Sequence, residues 1–219
     1  MNDLNVLENA DLTALNTFGV EAQALFLVSC RSMDALRLML KDIKDAQDPL
    51  LILGDGSNVL FTQNFEGVIL LPQIQGIEQL SSQGSHGIIR VGAGENWHRF
   101  VDYSLKQSLF GLENLALIPG TVGASPIQNI GAYGVELENF VHAVEAMDRD
   151  TLEIKRFSHA ECGFNYRDSR FKREFKGKYI ITHVEFRLPR ESSLQINYAG
   201  IREELAESCY SSSWIYYEQ

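Results

Sequence analysis

Two glycine-rich segments hold the residues whose types and spacing best suit ligand binding. The first is GDGSNVLF at 54–61, directly after the apolar run LLIL. Its two glycines permit positive φ, so successive backbone N–H groups can point into one concavity that binds an anion, and Ser57 and Asn58 add side-chain donors. A pyrophosphate fits this arrangement if the carboxylate of Asp55 turns outward. A tight turn between two strands is the alternative interpretation.

The spacing within this segment excludes two common phosphate-binding motifs. The G-x-G-x-x-G fingerprint needs a third glycine at the position that Val59 occupies, and no Gly-Lys-Ser/Thr follows as in a P-loop. A nucleotide bound here is therefore held by another architecture.

The second segment is IPGTVGASPIQNIGAYG at 118–134, which has four glycines, two prolines and no charged residue. Glycines at this density let a backbone come very close to another group. Small residues and the neutral amides of Gln128 and Asn129 suit a large uncharged heteroaromatic ring, beside which buried charges would lose solvation without a partner. A buried crossover loop packed on a sheet is the alternative.

The elements that must position these segments alternate between helical and strand patterns. A strand at 22–29, a helix capped by Ser32, and a strand at 49–54 predict a β-α-β beginning. The chain continues with predicted strands at 67–72 and 87–94, a helix at 96–109, a hairpin at 142–158 and a strand at 179–189. In the last strand, Ile180, Val184, Phe186 and Leu188 face one way, and Tyr179, His183, Glu185 and Arg187 face the other. The pattern predicts an α+β protein with a small first lobe and a strand-rich second lobe.

Composition limits the possible functions. The 219 residues include 19 Lys+Arg and 29 Asp+Glu, a net charge of −10 that argues against nucleic-acid binding. The apolar runs are too short to span a bilayer, and the first residues do not resemble a secretory signal. Cys30, Cys162 and Cys209 are odd in number and widely spaced, without a CxxC or a histidine at ligand spacing. We therefore expect no metal site, reduced thiols and a cytoplasmic protein.

Five segments together resemble the UDP-N-acetylenolpyruvoylglucosamine reductase family of flavoenzymes. They are NTFG (16–19), LILGDGSNVLF (51–61), VGAGENWHRFV (91–101), GLENLALIPGTVGASPIQNIGAYGVEL (111–137) and ECGFNYRDSRFK (161–172), and the likeness runs from about residue 8 to about residue 200. The resemblance implies a two-lobed FAD-binding fold of the vanillyl-alcohol-oxidase (PCMH) type, with lobes at 1–72 and 73–190. It also implies that NADPH reduces non-covalently bound FAD. The reduced flavin then converts UDP-N-acetylglucosamine enolpyruvate to UDP-N-acetylmuramate for peptidoglycan precursors.

The resemblance also assigns roles to individual residues. Arg167 matches the catalytic arginine, whose forked donors suit the negative charge that develops on the enolpyruvyl group. Taken alone, Arg167 would be interpreted as a surface ion pair with Asp168 or Glu174. Tyr166 and Tyr198 match substrate-binding positions. The implied FAD contacts are Gly54, Gly56, Ser57, Asn58, Val59, Ile118, Gly123, Ser125, Ile127, Gln128, Gly131 and Ile181.

The sequence departs from the family after about residue 190. The family's third, substrate-binding domain carries a proton-donating serine in a G-S-F-F-K-N-P-like motif, and residues 191–219 contain no such motif. They are interpreted as a truncated, divergent start of that domain. We therefore expect little product formation from this chain, because losing a general acid costs about 10²- to 10⁴-fold in rate.

Two other functions stay open at this point. One is a non-catalytic FAD-binding fragment, and the other is an oxidase of the same fold. Many such oxidases tether flavin through histidine, whereas the five histidines here lie outside the loops expected at the ring. Apart from the UDP-sugar, no obligate partner is evident.

Overall fold

The structure is a computed structural model that describes residues 3–46, 48–81 and 84–202. Within these ranges, the residues up to Pro72 form a four-stranded sheet with one helix. Its elements are β1 (Leu4–Asp11), β2 (Gln23–Cys30), α1 (Met33–Ala46), β3 (Leu50–Ile52) and β4 (Phe65–Pro72). The strand order is β1-β2-β4-β3, with β2 and β3 parallel to β4 and β1 antiparallel to β2. The predicted β-α-β beginning is confirmed.

Helix α1 forms where the sequence places an N-cap before an amphipathic stretch. The Ser32 Oγ accepts a hydrogen bond from the Ala35 N–H at 3.2 Å, which satisfies a helix N–H that has no partner within the helix. Apolar residues spaced three or four apart give the helix one apolar face. They pack on strand residues in a single cluster: Leu36, Leu40, Ile43, Val28, Val68 and Leu70.

A second, five-stranded antiparallel sheet follows. Its strands are β5 (Ile77–Ser81), β6 (His86–Gly92), β9 (Val141–Asp148), β10 (Ile154–Ser158) and β11 (Tyr179–Pro189), in the order β10-β9-β11-β6-β5. The predicted hairpin at 142–158 is confirmed as β9 and β10. Between these strands lie α2 (Trp97–Lys106), α3 (His159–Cys162) and a small ribbon of β7 (Gly131–Ala132) and β8 (Val135–Glu136).

Helix α2 packs on the second sheet through aromatic side chains. The Trp97 and Phe100 rings lie 6.0 and 4.8 Å from the Phe186 ring, measured between centroids. The helix ends at Lys106 rather than at the predicted residue 109. It stops because Ser108 takes a left-handed φ of 56°, which a continuing α-helix does not allow.

The predicted two-faced alternation of β11 is wrong at one end. Ile180 packs with the cluster beneath α1, whereas Ile181 joins Val184 and Phe186 in the core of the second sheet. A register shift between Ile181 and His183 interrupts the pairing with β9. Such a bulge changes the face to which the following side chains point.

The polar face of β11 is buried under charged side chains from its neighbours. Arg156 donates to both carboxylate oxygens of Glu185, at 2.8 and 2.6 Å, and Arg90 makes the same pair with Glu145, at 2.9 and 2.6 Å. The Arg90 Nη2 also lies 3.0 Å from the His183 Nδ1. Bidentate pairs of this kind let the sheet bury charge, because each carboxylate oxygen has a donor.

Two cysteines lie in the interior. Burial raises the pKa of Cys30 to about 11 and that of Cys162 to about 12, so both are protonated thiols at neutral pH, and neither is in a disulfide. Cys209 lies outside the described residues. In the described ranges, no helix is both long and apolar enough to cross a membrane.

The buried His183 predicts a pH dependence of stability. Burial, aided by the Arg90 charge, lowers the pKa of His183 from 6.5 to about 4, so between these pH values the unfolded chain binds the extra proton. The contribution of His183 to stability is complete above pH 6.5 and falls as the pH decreases toward 4. We expect the free energy of unfolding to fall by about 3 kcal/mol more in the unmodified chain than in His183→Gln across this window. Urea unfolding at several pH values measures it, and parallel curves for the two proteins would contradict the assignment.

Candidate functional site

A cleft lies where the β3–β4 loop of the first sheet meets the 118–134 segment. Its cavity volume is about 240 Å³, and it opens to solvent. Its lining is neutral except for Asp55, a residue that is exposed overall while partial burial raises the pKa of its carboxyl. The residues around it are Ile52, Leu53, Gly54, Asp55, Gly56, Ser57, Asn58, Val59, Trp97, Ile118, Pro119, Gly120, Thr121, Ala124, Ser125, Ile127, Gln128 and Ile130.

Direct hydrogen bonds join the two predicted loops. The Asn58 Nδ2 donates to the Gln128 Oε1 at 2.9 Å, and the Ser57 Oγ donates to the Pro119 carbonyl at 3.2 Å. The donors predicted to bind a ligand therefore also bridge the loops. The sequence separation of 62 and 70 residues makes this a contact that only the fold creates.

Glycines allow the loops to come this close. A Cβ on Gly54 would stand 2.9 Å from the Thr121 Oγ1 and 3.4 Å from the Ala124 Cβ. Gly56 has a φ of 68°, and a Cβ there would overlap the Leu15 carbonyl. The loop also accepts a hydrogen bond from the Thr17 N–H at 3.3 Å, so the NTFG segment supports it from behind. The first loop, called the glycine cradle below, is thus packed closely against Thr121 and Leu15, and larger residues at 54 and 56 would clash there.

Nine of the twelve predicted FAD contacts border the cleft and three do not. Gly123 is buried against Ala93, Gly131 lies under the Arg167 side chain, and Ile181 belongs to the core of the second sheet. The contact roles of these three residues stay predictions. The sequence analysis missed Trp97, Thr121 and Ala124, although all three lie inside segments that carried the resemblance. Their chain positions alone did not show that they face the cleft.

Arg167 lies in a tight turn, and its side chain contacts the 118–134 segment. The N–H groups of Asn165 and Asp168 each donate to the other residue's carbonyl at 3.0 Å, and Arg167 between them has a left-handed φ of 51°. Its guanidinium donates to the Asn129 carbonyl at 3.3 Å and to the Gly131 carbonyl. A side chain on Gly131 would overlap this guanidinium. A non-glycine residue is held in such a conformation where the surrounding structure imposes it, often at functional sites.

The alternative interpretation of Arg167 as a surface ion pair is wrong. Asp168 pairs with Arg173, and Glu174 lies 3.6 Å from Arg170 and 3.8 Å from Arg173. The guanidinium instead has two neutral carbonyl partners, so its charge is not cancelled by a direct ion pair.

Both predicted substrate tyrosines are exposed near the same segment. Tyr166 precedes Arg167 and is 75% exposed, with the Arg167 Cζ 5.4 Å from its ring centroid. Tyr198 meets Tyr133 edge to face at 5.7 Å. The chain before Tyr198 is held by a 2.8 Å hydrogen bond from the Asn114 Nδ2 to the Gln195 carbonyl. The structure thus brings all the predicted binding residues except Ile181 to the 54–59 loop, the 118–134 segment or its immediate neighbours.

This fold and cleft define a flavin-binding protein. The family model described as an FAD binding domain matches residues 24–156, and the chain belongs to that family. The predicted α+β FAD-binding fold and FAD as its cofactor are therefore confirmed. A neutral cleft beside a glycine cradle agrees with this cofactor, because it offers backbone donors for a diphosphate and uncharged surface for a ring.

The chain is also similar in sequence to individual curated proteins. The chain is 51% identical over 201 residues to the UDP-N-acetylenolpyruvoylglucosamine reductase of Xanthomonas campestris pv. campestris, a match that covers 92% of this chain and 57% of that protein. The chain thus spans a little over half the length of the curated relatives it matches. Sequence identity of this extent agrees with the resemblance found in the five segments.

Two solved structures show the same fold. The UDP-N-acetylenolpyruvylglucosamine reductase (MurB) of Thermus caldophilus has a TM-score of 0.65 at 23% identity, covering 94% of this chain and 68% of that chain. The glucooligosaccharide oxidase of Acremonium strictum has a TM-score of 0.59 at 13% identity, covering 85% of this chain and 40% of that chain. At these identities the likeness concerns the fold alone. It agrees with the predicted FAD-binding fold of the vanillyl-alcohol-oxidase type.

The cradle predicts different costs for two glycine substitutions. Gly56→Ala places a methyl group against the Leu15 carbonyl, and we expect it to lower the free energy of unfolding by about 3 kcal/mol or more. Gly19→Ala is the matched control, because Gly19 has a similar φ of 62° with open space around its Cβ position. We expect about 1 kcal/mol there, from the left-handed backbone alone. Urea unfolding measures both, and equal losses would contradict the close approach.

Proposed function

We propose that this chain is the FAD-binding part of a UDP-N-acetylenolpyruvoylglucosamine reductase. The proposed reaction is the NADPH-dependent reduction of UDP-N-acetylglucosamine enolpyruvate to UDP-N-acetylmuramate for peptidoglycan precursors. The observation that carries this proposal is 51% identity over 201 residues, a stretch that covers most of this chain, to reductases of that name. Bound FAD supplies the hydride in this reaction.

The proposed site follows from the two joined loops. Gly54, Gly56, Ser57 and Asn58 offer donors to the diphosphate, and the apolar residues of the 118–134 segment border the flavin. The lining of the cleft includes no cysteine and no histidine among the described residues, which supports non-covalent binding. In the glucooligosaccharide oxidase, by contrast, FAD is 6-S-cysteinyl and 8α-N1-histidyl.

We assign Arg167 to the enolpyruvyl carboxylate. Addition of hydride to the enolpyruvyl double bond builds negative charge toward that carboxylate, and a guanidinium with two neutral partners can stabilise it. The exposed rings of Tyr166 and Tyr198 are placed to contact the substrate. The residue that protonates the adjacent carbon has no assignment in this chain.

The remaining assignments are proposals on the same basis. We place the lobe boundary near residue 72, because β4 ends at Pro72 and β5 of the other sheet begins at Ile77. The third predicted segment, 191–219, lies outside the described residues from 203 onward. Reduced buried thiols at Cys30 and Cys162 support a cytoplasmic location.

A second candidate function is FAD binding without turnover. It is supported by the cleft and its glycine cradle, which form within the described residues and are the parts that cofactor binding needs. The two candidates agree on the cofactor and differ on product formation.

Cofactor binding gives the first test. We expect the purified chain, incubated with FAD and desalted, to keep a visible flavin absorption spectrum. Denaturation should release all of the flavin, because no cysteine or histidine borders the cleft within the described part of the chain. A colourless protein would contradict the proposal, and flavin that stays attached after denaturation would favour a tethered oxidase.

Product formation gives the second test. With FAD, NADPH and the enolpyruvyl substrate, we expect a low rate of UDP-N-acetylmuramate formation. Arg167→Lys should lower that rate by about a further 10²-fold, since one ammonium replaces a forked donor at the developing charge. Arg99→Lys on the exposed side of α2 is the control and should leave the rate unchanged. Chromatographic detection of product decides between the two candidate functions, and an unchanged rate in Arg167→Lys would contradict its role.

A further inference from the structure

One buried asparagine at the centre of the 118–134 segment connects three parts of the site. Asn129 is fully buried and has a left-handed φ of 45°. Its Nδ2 donates to the Asn165 carbonyl at 3.1 Å and to the Glu136 Oε2 at 3.0 Å, and its Oδ1 accepts from the Glu138 N–H at 2.9 Å. Every polar atom of this side chain therefore has a partner, as a buried amide requires.

Asn129 contacts Arg167 in two ways, through the backbone turn around Arg167 and through its guanidinium. The side-chain amide binds the carbonyl of Asn165, the residue that begins the tight turn around Arg167. The main-chain carbonyl of the same asparagine accepts from the Arg167 Nη1 at 3.3 Å. The other Nη donates to Gly131, two residues along the same loop. Asn129 thus binds both the backbone turn that holds Arg167 and the guanidinium at the end of the Arg167 side chain.

A carboxylate close to the guanidinium competes for it. Glu136 pairs with Gly131 across the β7–β8 ribbon, so it is close to the carbonyl that Arg167 binds. Burial and the neighbouring Glu138 raise the pKa of Glu136, and the charge of Arg167 opposes this shift. An ion pair with Glu136 would cancel the charge that a substrate anion needs. None of the ion pairs in the described residues includes Arg167, and one Glu136 oxygen is bound by the Asn129 amide.

We propose that Asn129 is a positioning residue that keeps the Arg167 guanidinium on the Asn129 and Gly131 carbonyls and the Glu136 carboxylate away from it. The two amide protons perform separate tasks, one on the turn and one on the carboxylate. The choice of residue follows from its backbone, because asparagine tolerates a left-handed φ and carries two donors. That the charge serves an anionic substrate rests on the proposed function, whereas the positioning itself does not.

The test is Asn129→Gly, which keeps the left-handed backbone and removes both donors. The carboxyl carbon of Glu136 is followed by NMR against pH in the unmodified chain and in the variant. We expect the pKa of Glu136 to fall in the variant, because the released carboxylate pairs with Arg167, whereas loss of the Asn129 hydrogen bond without that pairing would raise it. Asn9→Gly is the matched control, since Asn9 has a φ of 48° but is exposed on β1. An unchanged Glu136 titration in folded Asn129→Gly would overturn the proposal.

Substrate binding separates positioning from a merely structural role. In the FAD-loaded chain, we expect Asn129→Gly to weaken binding of the enolpyruvyl substrate about tenfold, because an ion pair between Arg167 and Glu136 must then be broken first. Adding Glu136→Gln should restore the affinity, because the competing charge is then gone. Loss without rescue would mean that Asn129 only supports the fold. No binding by the unmodified chain would count against the proposed function, and the Glu136 titration would still decide the role of Asn129.

A measurement on the unmodified chain guards against a variant that does not fold. The side-chain NH₂ protons of Asn129 should exchange with solvent at least about a hundredfold more slowly than those of exposed Asn9. The reason is that both Asn129 protons are held in hydrogen bonds. Equal exchange rates would show that the two hydrogen bonds of the Asn129 amide are not formed and would overturn the proposal.

Discussion

The close approach of two backbone loops is the constraint on which the rest of this structure depends. The loop at 54–59 and the segment at 118–134 leave no room for a Cβ on Gly54 toward Thr121, and their side chains join at Asn58 and Gln128. The first loop ends a parallel strand of one sheet, and the second follows a helix packed on the other. Each sheet must therefore be rigid enough to hold its loop in place. The helix α1 and the aromatic cluster around Trp97 supply that rigidity, because both bury apolar side chains against a sheet.

Charge is distributed in a way that suits this cleft. The chain has a net charge of −10, while the cleft lining holds Asp55 as its one charged residue within the described part of the chain. Two carboxylates of the second sheet are paired with arginines, Glu185 with Arg156 and Glu145 with Arg90. The half-buried Arg167 instead donates to two neutral carbonyls. A cation with no ion pair among the described residues suits an anionic group of a ligand, because the interaction need not first break an ion pair.

Most of the fold could be predicted from local patterns. The cap at Ser32, the apolar face of α1 and the hairpin at 142–158 each depend on residues close together in the chain, and the structure has all three. The prediction for β11 was wrong where a bulge at Ile181 shifted the register, because bulges depend on the partner strand rather than on the strand's own alternation. The burial of Glu185 was not evident either, since the arginine that covers it comes from β10.

For the site, the amino-acid sequence by itself determined the chemistry that is available. It placed glycines where a backbone must approach closely, kept seventeen residues free of charge, and put an arginine inside a motif shared with flavoenzymes. Only the tertiary structure decided which of these residues meet. It buried Gly123 against Ala93 and Ile181 in the core of the second sheet, bound Ser57 and Asn58 to the opposite loop, and hydrogen-bonded Asn129 to Asn165 and to the Arg167 side chain. The physical reason is that such contacts join residues tens of positions apart, and their geometry is set by the packing of two sheets rather than by any local preference.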